Sequence, residues 1–241
     1  MSEKKSIGVY LSATSTPLNT LAFLIPWLLL YEVGLLLSGD AGIRNLADQW
    51  VREALGQAGL TQQYLMPVLP CLILLGWHHT TKRPWRIAWH YFAGMLLECI
   101  AYAVLLFALF LGQRWFFAQS FAEWQPAVVE ALEIGKGQIM LAMIGAGIYE
   151  ELLFRLILLP AVIALFNFMG TKIKLSQIIG AVISSLLFAA AHSIHESQDA
   201  FTFVFRFAVG LVLSVIFLKR GFGIAVGTHS IYNVTVQLLV I

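Results

Sequence analysis

The chain has 241 residues, 59% hydrophobic and only 12% charged, with a net charge of +2. A soluble domain of this size would be about a quarter charged, so composition excludes an ordinary soluble protein and points to a polytopic membrane protein. Its scattered Lys and Arg exclude a nucleic-acid partner, and Cys71 and Cys99, both in apolar segments, offer neither metal-ligand spacing nor a disulfide framework.

The polar start, Met1 to Thr16, leads into an apolar run of about 20 residues, the length that crosses a bilayer. The run holds Pro26 and Glu32, and no small-x-small cleavage site clearly follows it. It therefore reads as a first transmembrane helix rather than a cleaved signal. Apolar runs predict seven spans: Leu18–Ser38, Tyr64–Trp77, Ile87–Gly112, Ile139–Phe166, Gln177–His192, Ala200–Leu218 and Phe222–Ile241. Pro67 and Pro70 predict a kinked or extended start to the short second span.

Two connections are long enough to hold structure. Between Ile43 and Leu60, apolar residues alternate with Arg44, Asp48, Arg52 and Glu53 at helical spacing, which predicts an amphipathic helix lying in the interface. The segment Arg114–Lys136 carries Trp115, Phe116, Phe117, Phe121 and Trp124, aromatics expected at headgroup level. Both read as interfacial anchors ahead of substrate gates. The expected architecture is all-α and polytopic, with residues 1–137 as N-terminal helices and interfacial segments and 138–241 as a helical core of one membrane domain.

Positive residues set an orientation. With the N terminus inside, nine Lys and Arg fall in inner segments (Lys4, Lys5, Lys82, Arg83, Arg86, Lys172, Lys174, Lys219, Arg220). Only four fall outside (Arg44, Arg52, Arg114, Lys136). A cytoplasmic N terminus follows, at the plasma membrane if the cell is prokaryotic.

The fourth span carries Glu150-Glu151-x-x-x-Arg155 within an apolar helix. Each buried charge costs roughly 2.5–3.5 kcal/mol on insertion scales, so all three need partners or work. Glu151 and Arg155, four apart, share a face and can pair. Glu150 projects about 100° away and stays free to meet neighbouring helices as a general base or acid. Gly145, Ala146 and Gly147 just before it would admit another helix closely. The fifth span ends in Phe188-x-x-x-His192 and the seventh holds His229-x-x-x-Asn233, each pair on one face. Donors from His229 and Asn233 could converge on one oxygen, as an oxyanion site requires.

At these residues the chain resembles the CAAX prenyl protease and bacteriocin-processing (CPBP, or Abi) family of intramembrane proteases. Its three motifs match Glu150-Glu151-x-x-x-Arg155, Phe188-x-x-x-His192 and His229-x-x-x-Asn233 in order, from about Gly145 to Asn233. The resemblance implies an intramembrane endopeptidase acting on a membrane-anchored, prenylated or leader-bearing peptide. It implies that Glu150 and His192 activate water, that His229 and Asn233 hold the oxyanion, and that Glu151, Arg155 and Phe188 support the site. Zinc on Glu150, His192 and His229 is an alternative, because a catalytic zinc needs three protein ligands and water; a metal-free mechanism is preferred. The non-enzymatic alternative is a membrane chaperone or immunity-type protein that binds a peptide in the same cavity.

Three further charges, Glu32, Glu98 and Arg206, lie in apolar runs and read as buried ion pairs or residues near a membrane face. The loop His195–Asp199 reads as a solvated turn. One expectation is awkward. Glu150 and His192 lie about sixteen residues from the inner ends of their spans and His229 about eight, a depth mismatch of ~12 Å. An irregular entry through Gly221, Gly223 and Gly227, or a misplaced boundary, would resolve it.

Overall fold

The computed structural model describes residues 2–39, 44–57, 59, 65–116, 135–193 and 200–240. The His195–Asp199 loop and most of the aromatic stretch after Arg114 lie outside them. Among the described residues every regular element is helical. In order they are α1 (Ser2–Thr14), α2 (Pro17–Ser38), α3 (Leu46–Gln57), α4 (Leu65–Thr80) and α5 (Phe92–Phe116), the last entered through a 3₁₀ turn, Trp89–Tyr91. Next come α6 (Lys136–Glu151), a π segment (Leu152–Leu158), α7 (Leu159–Phe168), α8 (Ile173–Ser193), α9 (Ala200–Arg220) and α10 (Phe222–Leu239).

Among the described residues, five helices are long and apolar enough to cross a membrane: α2, α5 with its leading turn, the continuous 33-residue α6–π–α7 rod, α8 and α9. The chain is an all-α, multi-pass integral membrane protein. Two expected spans differ from these. Helix α4 has 16 residues and remains helical through Pro70. Helix α10 is shielded by protein: Phe222 through Ser230 are all buried, packed among α6, α5, α9 and α2. One apolar core links Leu21 on α2 to Tyr232 on α10, so the N-terminal helices and the motif-bearing helices share it.

Small residues set the closest helix contacts. A Cβ at Gly145 would overlap the Tyr31 ring of α2, and one at Gly147 would overlap both the side chain and the backbone of Ser230 on α10. Bare backbone there lets α6 touch two helices at once. Gly147→Ala must therefore push α6 from α10. The expected cost is about 1–3 kcal/mol, read as a lower midpoint of thermal unfolding in detergent; an unchanged midpoint would mean that the packing yields freely.

The depth mismatch is resolved without an irregular entry. Helix α10 is regular from Phe222, after a turn in which Gly221 takes a φ of 90°, a left-handed conformation suited to glycine. Phe188 and His229 are neighbours, with ring centroids 6.0 Å apart. Phe188 is the sixteenth residue of α8, whereas His229 is the eighth of α10. The α7–α8 hairpin thus projects past the α9–α10 turn, and the helices do not share one inner plane.

That turn is covered by α1, which the polar composition of Met1–Thr16 did not foretell. Arg220 pairs with both oxygens of Glu98 and donates through Nη2 to Thr14 Oγ1 at 2.9 Å and through Nη1 to Ser15 Oγ at 3.3 Å. Its guanidinium lies 5.4 Å from the centroid of the Tyr10 ring, and the Tyr10 hydroxyl donates to Glu98 Oε2 at 2.9 Å. Burial first, then the Glu98 carboxylate, push the Tyr10 phenol up to about 12. Glu98 is thus a partly buried ion-pair member. Glu32 instead accepts from the Tyr149 hydroxyl, and Arg206 lies half-buried on α9. Arg220→Ala should release α1 and cost about 1.5–3 kcal/mol in lost charged hydrogen bonds. Limited proteolysis checks this: cleavage within Ser2–Thr14 should speed up while the remaining helices stay protected.

Candidate active site

Glu150 is the penultimate residue of α6 and is 7% exposed. Immediately after Glu151 the helix widens into its π segment. Pro160, two residues into α7, has no N–H to offer the carbonyl one α-turn back, and the preceding turn relaxes to i→i+5 bonding. The Leu159 N–H reaches Phe154 O, and Ser184 of α8 donates to the same carbonyl at 2.7 Å. Such π turns recur at functional sites. Here the turn sits directly beneath the two glutamates.

The two carboxylates diverge. Glu151 is fully buried, with Oε1 3.0 Å from Arg155 Nη1 and 2.9 Å from His229 Nδ1. Arg155 is also fully buried: it donates to Gly210 O at 3.3 Å and lies 4.5 Å from the Phe188 ring centroid. A carboxylate can only accept, so Nδ1 of His229 carries the hydrogen of that bond. His192 is fixed likewise, its Nδ1 donating to Phe188 O at 2.9 Å. Both imidazoles therefore turn Nε2 toward Glu150. His192 Nε2 lies 3.7 Å from Oε1, and His229 Nε2 lies 3.7 Å from Oε2. Phe188 stacks edge-on against both rings and against Phe154, setting their spacing.

Asn233, one turn beyond His229, donates from Nδ2 to Met143 O at 3.4 Å. The structure thus brings Glu150, His192 and His229 together, backs them with Glu151, Arg155 and Phe188, and leaves the Asn233 amide on the α6 backbone.

With Nδ1 of each ring committed as a donor, each Nε2 is an acceptor when its ring is neutral and a donor when it is protonated. Together with the Glu150 carboxylate they face one small space, a grouping suited to holding a water and taking its proton. For zinc, three donors would have to meet about 2.0–2.2 Å from one point, whereas the imidazoles address different oxygens of Glu150. Among the described residues no group of three His, Cys, Asp or Glu is placed to hold a metal.

Helix α3 supplies what sequence reasoning missed. Asn45, just before it, donates from Nδ2 to Glu150 Oε1 at 3.0 Å. Asp48, expected among the polar residues of an interfacial amphipathic helix, is fully buried. It accepts from the Tyr31 hydroxyl at 3.2 Å and from Arg52 Nε at 2.7 Å, and these bonds compensate its desolvation. Burial pushes the Asp48 carboxyl up, against the pull of Arg52. Trp50 packs beside Phe154, Phe188 and Ala191. The one local signal was Asn45-x-x-Asp48, a polar cap followed by an acid three residues on.

Residues 136–235 match the model of the type II CAAX prenyl endopeptidase, Rce1-like family. This segment is similar to the Rce1-like family. The Rce1-like stretch holds all seven motif residues, from Glu150 to Asn233, and the helices α6 to α10 that position them. By its description that family is one of endopeptidases. No curated protein and no solved structure matches the chain.

Proposed function

We propose that this protein is a metal-free intramembrane endopeptidase in which Glu150 and His192 hold and deprotonate the attacking water. The observation that carries the reading is the pair of 3.7 Å approaches of His192 and His229 Nε2 to the two oxygens of Glu150. A water beside such a pair can hydrogen-bond both groups at once. Glu150 takes its proton and the hydroxide attacks the scissile carbonyl carbon. The leaving nitrogen then recovers that proton as the tetrahedral intermediate breaks down.

His229 serves the oxyanion in this scheme. Glu151, bound to Nδ1, supports an imidazolium whose Nε2–H faces Glu150, and the Glu151–Arg155 pair leaves the local charge balanced. When Glu150 becomes neutral, its hold on that N–H weakens, and the N–H turns to the developing oxyanion. Asn233 joins it by releasing its long bond to Met143 O. Preorganised donors of this kind contribute roughly 2.7–4 kcal/mol each to such steps.

The substrate is a membrane-anchored peptide or protein, with a farnesylated tail bearing cysteine fourth from its C terminus the first to test. The N terminus lies in the cytoplasm, following the nine-to-four excess of inner over outer positive residues. The deciding experiment compares the termini of membrane peptides in cells carrying wild-type protein with those carrying Glu150→Gln. Termini that depend on Glu150 establish the reading. Identical termini with the phenotype intact would favour peptide binding without hydrolysis. Metal dependence has its own test: cleavage should persist after exhaustive chelation, and stoichiometric zinc with reversible loss of cleavage would overturn the metal-free scheme.

A further inference from the structure

Resting on the reading of Glu150 as the base, we propose that Asn45 is a positioning residue of the active site, holding the Glu150 carboxylate in register with the two histidines. Both ends of its amide are committed. Nδ2 donates to Glu150 Oε1 at 3.0 Å, and Oδ1 accepts from the Asp48 N–H at 3.1 Å, capping α3. The oxygen it binds is the one His192 faces, so the bond fixes the carboxylate rotation and leaves Oε2 for His229. A glutamate side chain has three rotatable bonds, and freezing the last of them is what a general base needs to stay within reach of its water.

The anchor for that bond comes from elsewhere. Helix α3 packs on α6. It is tied to α2 through Asp48 and Tyr31 and to the α7–α8 side through Trp50 against Phe154, Phe188 and Ala191. Asn45 therefore reaches Glu150 from a braced element. The helix expected to be an interfacial anchor is in this view part of the catalytic apparatus, and asparagine suits the position because its amide caps α3 and donates to Glu150 together.

The two roles can be separated. Ser and Asp both cap helices well. Asn45→Ser should keep α3 in place while removing the donor to Glu150, and Asn45→Asp keeps the cap but sets an anion against the carboxylate. The assay uses purified protein in proteoliposomes and an internally quenched peptide with a farnesylated cysteine fourth from its C terminus. Wild type and Glu150→Gln serve as references. Asn45→Ser should lower kcat by about 10–100-fold, the scale of a misplaced catalytic group, with KM within about twofold and the unfolding midpoint unchanged; Asn45→Asp should fall further. A wild-type kcat in either capped variant would overturn the assignment and leave Asn45 a helix cap. Parallel loss of kcat and of unfolding midpoint in both variants would overturn it too, because the role would then be structural. Full turnover by Glu150→Gln, or none by wild type, would instead remove the hydrolase reading on which the proposal rests.

Discussion

Glu150→Gln should yield a folded, membrane-inserted protein that no longer cleaves. Glutamine matches glutamate in size and keeps an Oε1 acceptor for the Asn45 amide, 3.0 Å away, so the packing between α3 and α6 survives. A neutral amide is also easier to bury than a carboxylate, and at 7% exposure the exchange should leave stability at or above the wild-type value. What it removes is the proton acceptor between the two imidazoles. General-base catalysis contributes roughly 10²–10⁴-fold, so cleavage should fall by at least that lower bound. The readout is the set of membrane-peptide termini at matched expression, with the unfolding midpoint as control. A variant that keeps its midpoint and loses its termini separates chemistry from folding; a variant that keeps both would unseat Glu150.

Much of this site was legible because its residues are paired at a spacing of four. Glu151 and Arg155, Phe188 and His192, and His229 and Asn233 each fall on one helix face whatever the tertiary structure does, and apolar flanks made their polarity conspicuous. Hydropathy likewise located the long helices. The pairings across helices were not legible. His229 Nδ1 on Glu151 joins residues 78 positions apart, and Asn45 on Glu150 joins residues 105 apart. Both depend on how far one helix slides past another, which Gly147 against Ser230 and Phe188 against His229 decide. The apparent depth mismatch arose from the same source, since span ends read from hydropathy assume a common plane that the α7–α8 hairpin overruns. Helix α1 escaped notice because its anchor, Arg220, looked like an ordinary positive loop residue.

The second large effect falls on stability. Arg155 is wholly buried and touches Glu151, Gly210 O and the Phe188 ring. Arg155→Met keeps the aliphatic bulk but strands the Glu151 carboxylate in a fully buried setting. Removing one member of such a pair costs about 3–5 kcal/mol, enough to lower the unfolding midpoint in detergent steeply and to deplete the protein in cells. Adding Glu151→Gln should recover part of that loss, because the orphaned charge is then gone. Cleavage should not return with it: His229 Nδ1 would face a neutral amide, and the imidazolium proposed to meet the oxyanion would lose its counter-charge. Recovery of stability without activity would assign Arg155 to holding Glu151, and Glu151 to holding His229. If cleavage came back with stability, the Glu151–His229 bond would be packing alone, and the oxyanion would need another donor.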